Sequence, residues 1–189
     1  MRFRVPRRPL PGQDASCPDG GARLSAELTA VMARARRRAV RDGDRQTDTA
    51  HLLHALLESD PEVRAALGGA PRITRLLGYL VQRSIGYGLR WQGTVEDFGA
   101  LPGATGTRDG LSPVASAALE HARERAARRG EDRVRGVDLL AALVAAPRAR
   151  AVEVLGRAGV DTRELADRLG TDAGDRREDC AVGSGGGGG

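Results

Sequence analysis

Much of one stretch of this chain is written twice, and that repetition narrows the possible folds more than any bulk property does. Leu24 to Gly43 reads LSAELTAVMARARRRAVRDG, and Leu111 to Gly130 reads LSPVASAALEHARERAARRG. A second segment, AHLLHALL from Ala50 to Leu57, returns as VDLLAALV from Val137 to Val144. Both pairs share one 87-residue offset (Leu24 to Leu111, Gly43 to Gly130, Leu52 to Leu139). Within it Ser25 answers Ser112, Ala35 answers Ala122, Ala39 answers Ala126 and Leu56 answers Leu143. Compositional bias does not hold a register across two separated segments. A tandem duplication of one helical unit does.

The period inside the unit is that of helices. Leu24, Leu28, Val31, Met32, Ala35 and Ala39 recur at helical spacing, so a first helix is expected from about Ser25 to Arg41. Ser25 is its N-cap and Asp42-Gly43 its stop. Leu52, Leu53, Leu56 and Leu57 mark a central second helix from about Asp48 to Ser59, broken at Asp60-Pro61. Short helices follow over Glu62 to Leu67 and Arg72 to Arg83. The second copy opens at Ser112-Pro113 and runs to Arg129. It continues over Val137 to Ala145 and Ala149 to Arg157, and ends in a helix holding Leu165 and Leu169 inward up to Gly170. No alternating Val, Ile, Thr or Tyr run calls for a sheet.

The expected fold is therefore all-α: eight short helices as two pseudo-symmetric four-helix repeats packed into one domain over 24–170. Repeat one is 24–85, repeat two 111–170. The segment 86–110, rich in Gly-containing turns, links them and carries Tyr87, Trp91 and Phe98. Residues 1–22 read as a disordered leader and 171–189 as a disordered Gly-rich tail.

Composition removes several chemistries. All 30 basic residues are arginine, so the chain has no lysine for a P-loop or a Schiff base. Aromatic residues make up only 3%, which leaves Leu, Val and Ala to build the core. The net charge is +5, yet the heavy use of Ala, Gly and Arg matches a GC-rich coding bias, so the charge is weak evidence for nucleic acid. Cys17 and Cys180 stand in the two tails without metal-ligand spacing. Prolines interrupt any apolar region after the N-terminal arginines, and no stretch approaches the ~20 apolar residues of a membrane span. A soluble, reducing, cytoplasmic setting and a monomer are expected.

These motifs, taken in order, resemble the Clp N-terminal (Clp R) domain, the double repeat at the front of Clp ATPase unfoldases. The resemblance rests on Leu24-Ser25, Gly43, Ala50-His51-Leu52-Leu53-His54-Ala55-Leu56 and Leu155 to Asp161, and covers about 24–170. It implies a non-catalytic module that docks client proteins, adaptors or a Clp ATPase. With no P-loop, the chain resembles such a module standing alone. In ClpC-type domains a Glu before His-Leu-Leu, with the hydroxyl that opens the first helix, is associated with phosphoarginine. Ser25 and Ser112 keep that hydroxyl, but Ala50 and Val137 replace the Glu and cannot pair with a guanidinium, so that route is not expected here.

Other candidates carry less. His51, His54 and Glu58 share a helix face, but two histidines without a third convergent ligand are more ordinarily a buried His51 and a surface His54. His121, Glu120 and Glu124 read as solvated helix surface. No Ser, His and Asp stand in a nucleophile elbow. No catalytic, metal or cofactor site is therefore expected. The residues put forward for protein binding are Ser25, Ser112, Arg34, Arg38, Arg125, Arg129 and Trp91. The other class of function considered is an Arg-rich helical protein binding nucleic acid non-specifically, through Arg34–Arg41 and Arg123–Arg129. The purified chain is expected to release no peptides from an unstructured protein substrate; measurable turnover would sink the non-catalytic reading.

Overall fold

The computed structural model describes residues 22–84 and 110–170. Apart from residues 22 and 110, the expected leader, linker and tail lie outside them, as do Cys17, Cys180, Tyr87, Trp91 and Phe98. Eight helices occur among the described residues: α1 (Ala26–Asp42), α2 (Thr49–Ser59), α3 (Pro61–Ala66), α4 (Ala70–Ser84), α5 (Pro113–Arg128), α6 (Gly136–Ala145), α7 (Arg150–Arg157) and α8 (162–170). Two short strands join them, β1 (Arg23–Leu24) and β2 (Arg133–Val134), which residue patterning did not call for.

The two long outer helices begin and end by the same local chemistry. Ser25 is extended and its Oγ accepts the Leu28 N–H at 3.0 Å; Ser112 does the same for Ala115 at 3.1 Å. At the other end Gly43 and Gly130 take φ of 75° and 72°, a left-handed turn open to glycine without steric cost. Between these ends α1 buries Leu28, Val31, Ala35 and Ala39, and α5 buries Ala115, Ala118, Leu119, Ala122 and Ala126. The alanines let α1 and α5 lie close against α2 and α6, which are central. Every residue from Thr49 to Leu57 is buried, as is every one from Asp138 to Val144. Each fully buried leucine there contributes roughly 1.5–3 kcal/mol.

The repeats do not close separately. Leu24 pairs in parallel with Val134, and Leu111 makes a parallel bridge with Thr47, the equivalent of Val134. The Ser25 N–H donates to the Val134 carbonyl at 3.0 Å, and the Ser112 N–H to the Thr47 carbonyl at 2.9 Å. So the entry to each outer helix is tied to the segment before the other repeat's central helix. The third helices cross over too: α3 packs on α6, and α7 packs on α2.

Space around the α3 N-terminus is tight. Asp60 Oδ1 accepts the N–H groups of Glu62 and Val63 at 2.9 and 3.1 Å, and a Cβ added to Gly136 of α6 would meet Asp60 Oδ2 at 1.9 Å. At the equivalent place in α2 stands Thr49, whose Oγ1 accepts the Ala151 N–H of α7 at 3.1 Å. One central helix supplies a cap to the opposite repeat; the other makes room for a cap. Gly136→Ala is expected to cost about 2–3 kcal/mol, the sum of a displaced cap and local overpacking, in urea denaturation. In an Asp60→Ala background its added cost should fall to about 1 kcal/mol or less. Strict additivity would place the cost elsewhere.

Candidate functional site

Each central helix carries a buried ionisable side chain at its third position, and the two sit in equivalent surroundings of opposite sign. In repeat two it is Asp138, 1% exposed, whose Oδ2 accepts the Arg135 N–H at 3.0 Å. Arg129, the C-cap of α5, reaches Asp138 Oδ1 at 2.6 Å, and Arg125 Nε lies 3.6 Å from the same oxygen. Glu131 binds Arg129 at 3.0 Å and Arg135 at 3.2 Å, and Arg135 extends to Glu62 of α3 at 3.2 Å.

In repeat one the residue at the same position is His51, fully buried, and its Nδ1 accepts the Asp48 N–H at 3.1 Å. Asp42 holds the place of Arg129 and lies 3.6 Å from Nε2; Asp44 lies 3.2 Å from it, and Asp48 Oδ1 is 2.7 Å from Nδ1. Asp48 holds the place of Arg135 and binds Arg150 of α7 at 2.6 Å. The cap of each central helix therefore forms an ion pair with the third helix of the other repeat, acid to base in one case and base to acid in the other.

Burial opposes the charge on Arg129, but the Glu131 hydrogen bond and Asp138 outweigh it and raise its pKa. Hydrogen bonding to Arg129 holds Glu131 below the ordinary carboxylate range. Arg125 differs: burial first, then Arg129 nearby, lower its pKa despite Asp138. Its second anchor is a hydrogen bond from Nη2 to the Leu169 carbonyl of α8. A cavity of about 350 Å³ opens here, lined by Arg125, Arg129, Arg135 and Arg168 with Glu62 and Asp138, and walled by Ala65, Ala66, Val137 and Leu169.

The residues put forward from sequence are thus dispersed. Arg125 and Arg129 meet in this cavity. Arg38 pairs with Glu58 at 2.7 Å, while Arg34 stands exposed on α1 beside Arg36, Arg37, Arg41 and a 72% exposed Val40. Ser25 and Ser112 are buried, and their oxygens accept the helix-capping bonds. Trp91 lies outside the described residues. Arg135 and Arg168 were missed because they come from separate segments; the signal within reach was the sign reversal of Asp42 to Arg129 and Asp48 to Arg135 at the repeat offset.

One histidine reading needs correction. His54 is not a surface residue but 3% exposed, because α2 is buried throughout from Thr49 to Leu57; its Nε2 lies 3.4 Å from Glu58. His51 is buried, as expected, and is gathered with Asp44 and Asp48, the ligand atoms of the three lying within 4.8 Å of one another. That is the one group among the described residues with metal-compatible spacing. His121, Glu120 and Glu124 are exposed, as solvated surface should be. No helix of the described residues is long and apolar enough to cross a membrane.

No protein-family model and no curated protein sequence matches the chain. The fold, by contrast, is shared with solved structures. The N-terminal domain of the caseinolytic protease associated chaperone ClpD from Arabidopsis thaliana superposes with a TM-score of 0.59 at 20% identity, over 79% of this chain and 94% of that one. A structure from work on a malarial protein secretion system gives 0.57 at 13% identity, over 80% and 95%. The chain therefore has a Clp N-domain-like fold.

His54 generates a pH dependence. Burial, then Arg38, push its pKa down to about 4, against Glu58 and Asp42. The unfolded chain binds that proton more strongly, so the stability tied to neutral His54 is full above about pH 6.5 and is lost as pH falls towards 4. His54→Leu should flatten the fall in unfolding free energy across that window by about 2 kcal/mol, read from urea titrations at several pH values. Parallel curves for the two proteins would assign the acid sensitivity to other groups.

Proposed function

We propose that this chain is a non-catalytic protein-binding module of the Clp protease and chaperone system, taking a Clp ATPase, an adaptor or client polypeptides as its partner in the cytoplasm. The observation that supports this reading is the fold: the two crossed-over repeats correspond to nearly the whole of the ClpD N-terminal domain. A shared fold is support by analogy, and the surface has to supply the rest. Two surfaces do. One is the arginine row of α1, with Arg34, Arg36, Arg37 and Arg41 exposed around Val40. The other is the cavity holding Arg125 and Arg129. Arginine beside apolar side chains is a combination that protein interfaces favour. The α1 row also favours a second reading, non-specific contact with a nucleic-acid backbone, because several exposed arginines on one helix can neutralise consecutive phosphates.

Salt and nuclease separate the two. The full chain is used as bait in nuclease-treated host lysate at physiological salt, with mass spectrometry as readout. Enrichment of a Clp ATPase or Clp peptidase, unchanged by nuclease, is the expected result. Loss of all bound protein on digestion, together with a steep fall in DNA binding as salt rises, would transfer the function to the second reading. Replacing Arg34, Arg37 and Arg41 with Gln should weaken the captured complex at least tenfold if the α1 row is the docking face.

A further inference from the structure

The outer faces of α1 and α5 descend from one repeat, position by position, yet only one of them balances its own charge. On α5, Arg123 pairs with Glu120 and Arg128 with Glu124, one turn away in each case. At the 87-residue offset Ala33 stands in place of Glu120 and Arg37 in place of Glu124, while Arg34 answers His121 and Arg41 answers Arg128. On α1 those counter-charges are missing and two further cations join the row. A coding bias towards arginine acts on both copies alike, so it does not produce this difference. Arg34, Arg37 and Arg41 are exposed and form no ion pair among the described residues. They help to line a cleft of about 720 Å³, and Glu58, the one carboxylate in its lining, is already held by Arg38 at 2.7 Å. Val40, in the same lining, is 72% exposed.

We infer that this face docks an acidic amphipathic helix of a partner protein, with carboxylates one turn apart over Arg34, Arg37 and Arg41 and an apolar side chain against Val40. Three and four residues separate the arginines, so they form a row along α1. Acidic residues at i, i+4 and i+7 of a helix laid beside α1 recur at the same interval, because both helices share one rise per residue. Each carboxylate can take two N–H groups of a guanidinium. Val40 favours a protein over a nucleic-acid backbone. A branched side chain in water gains little from a sugar–phosphate strand, whereas an apolar residue of an amphipathic helix covers it. The α5 face offers no second such site, since Glu120 and Glu124 repel the same acids. This inference rests on the protein-binding reading above and gives it a partner chemistry.

The test is calorimetric titration of the full chain, at low salt, with an Ala-rich helical peptide of about 20 residues, long enough to hold its helix. One form carries Glu at i, i+4 and i+7 with Leu at i+3; a second spreads the same residues round the helix; a third has Gln for Glu. Single-stranded DNA of matching length is the fourth ligand. The one-face peptide is expected to bind, the spread form about fivefold and the Gln form about tenfold more weakly, because exposed pairs are weak singly and act here as a set. Arg34→Gln, Arg37→Gln and Arg41→Gln together should lower its affinity about tenfold, with an unchanged melting curve because Gln and Arg are similar helix formers. Val40→Gln should lower it about threefold, and Arg123→Gln on α5 should leave it unchanged. If the triple variant unfolds, Val40→Gln and the peptide controls still decide. Equal binding of the one-face and spread forms, DNA binding more tightly than the one-face peptide, or binding untouched by the arginine and valine changes would overturn the inference. So would no binding of the one-face peptide at millimolar concentration. Equal capture of a Clp component from lysate by the unaltered chain and the triple variant would overturn it while leaving the protein-binding reading standing. Peptide binding as expected, with no Clp component captured, would instead overturn the assignment to the Clp system alone.

Discussion

Two backbone hydrogen bonds determine how this chain is put together: Ser25 N–H to the Val134 carbonyl and Ser112 N–H to the Thr47 carbonyl. Each joins the opening residue of one repeat's outer helix to the segment before the other repeat's central helix. Because the bonds are reciprocal, the repeats are related by a pseudo-two-fold exchange rather than stacked end to end. The packing of α3 on α6 and α7 on α2 follows from it. A single repeat would leave its strand unpaired and one flank of its central helix bare, and burying leucines such as Leu56 and Leu143 on all sides requires both. The duplication is a folding requirement as well as an origin.

Exchange of this kind fixes positions without fixing chemistry. The last turn of α1 faces the third residue of α2 as the last turn of α5 faces that of α6. Any complementary pair satisfies the place. One copy holds acids around His51 and the other bases around Asp138. A buried charge left without its partner costs several kcal/mol, so neither half of such a pair can change alone. The cap pairs Asp48–Arg150 and Arg135–Glu62 obey the same constraint, each crossing between repeats.

The helices were legible because their signals are local. Ser25, Gly43, Ser112 and Gly130 act through neighbours three or four residues away, and the outer helices begin and end within a residue or two of where those signals place them. What escaped is tertiary in cause. Arg23–Leu24 and Arg133–Val134 are too short for an alternating pattern, and they are strands only because each meets the other. His54 looked like surface because charged Glu58 lies one turn on, yet α2 is enclosed by neighbouring helices. The cavity depends on Glu62, Arg125, Arg135 and Arg168, which no local spacing brings together.

The same exchange explains why function in such a molecule need not be symmetric. Two copies of one unit would present two copies of one site if the nodes had kept their charges. Here the Arg135–Glu62 bridge and the Arg125 bond to the Leu169 carbonyl frame an arginine-lined cavity where α3 meets repeat two, while Arg150 covers the cap of an acidic node in repeat one. A ligand selected by charge therefore meets one half of the molecule differently from the other. The scaffold is two-fold, and the charge it carries at equivalent places is not.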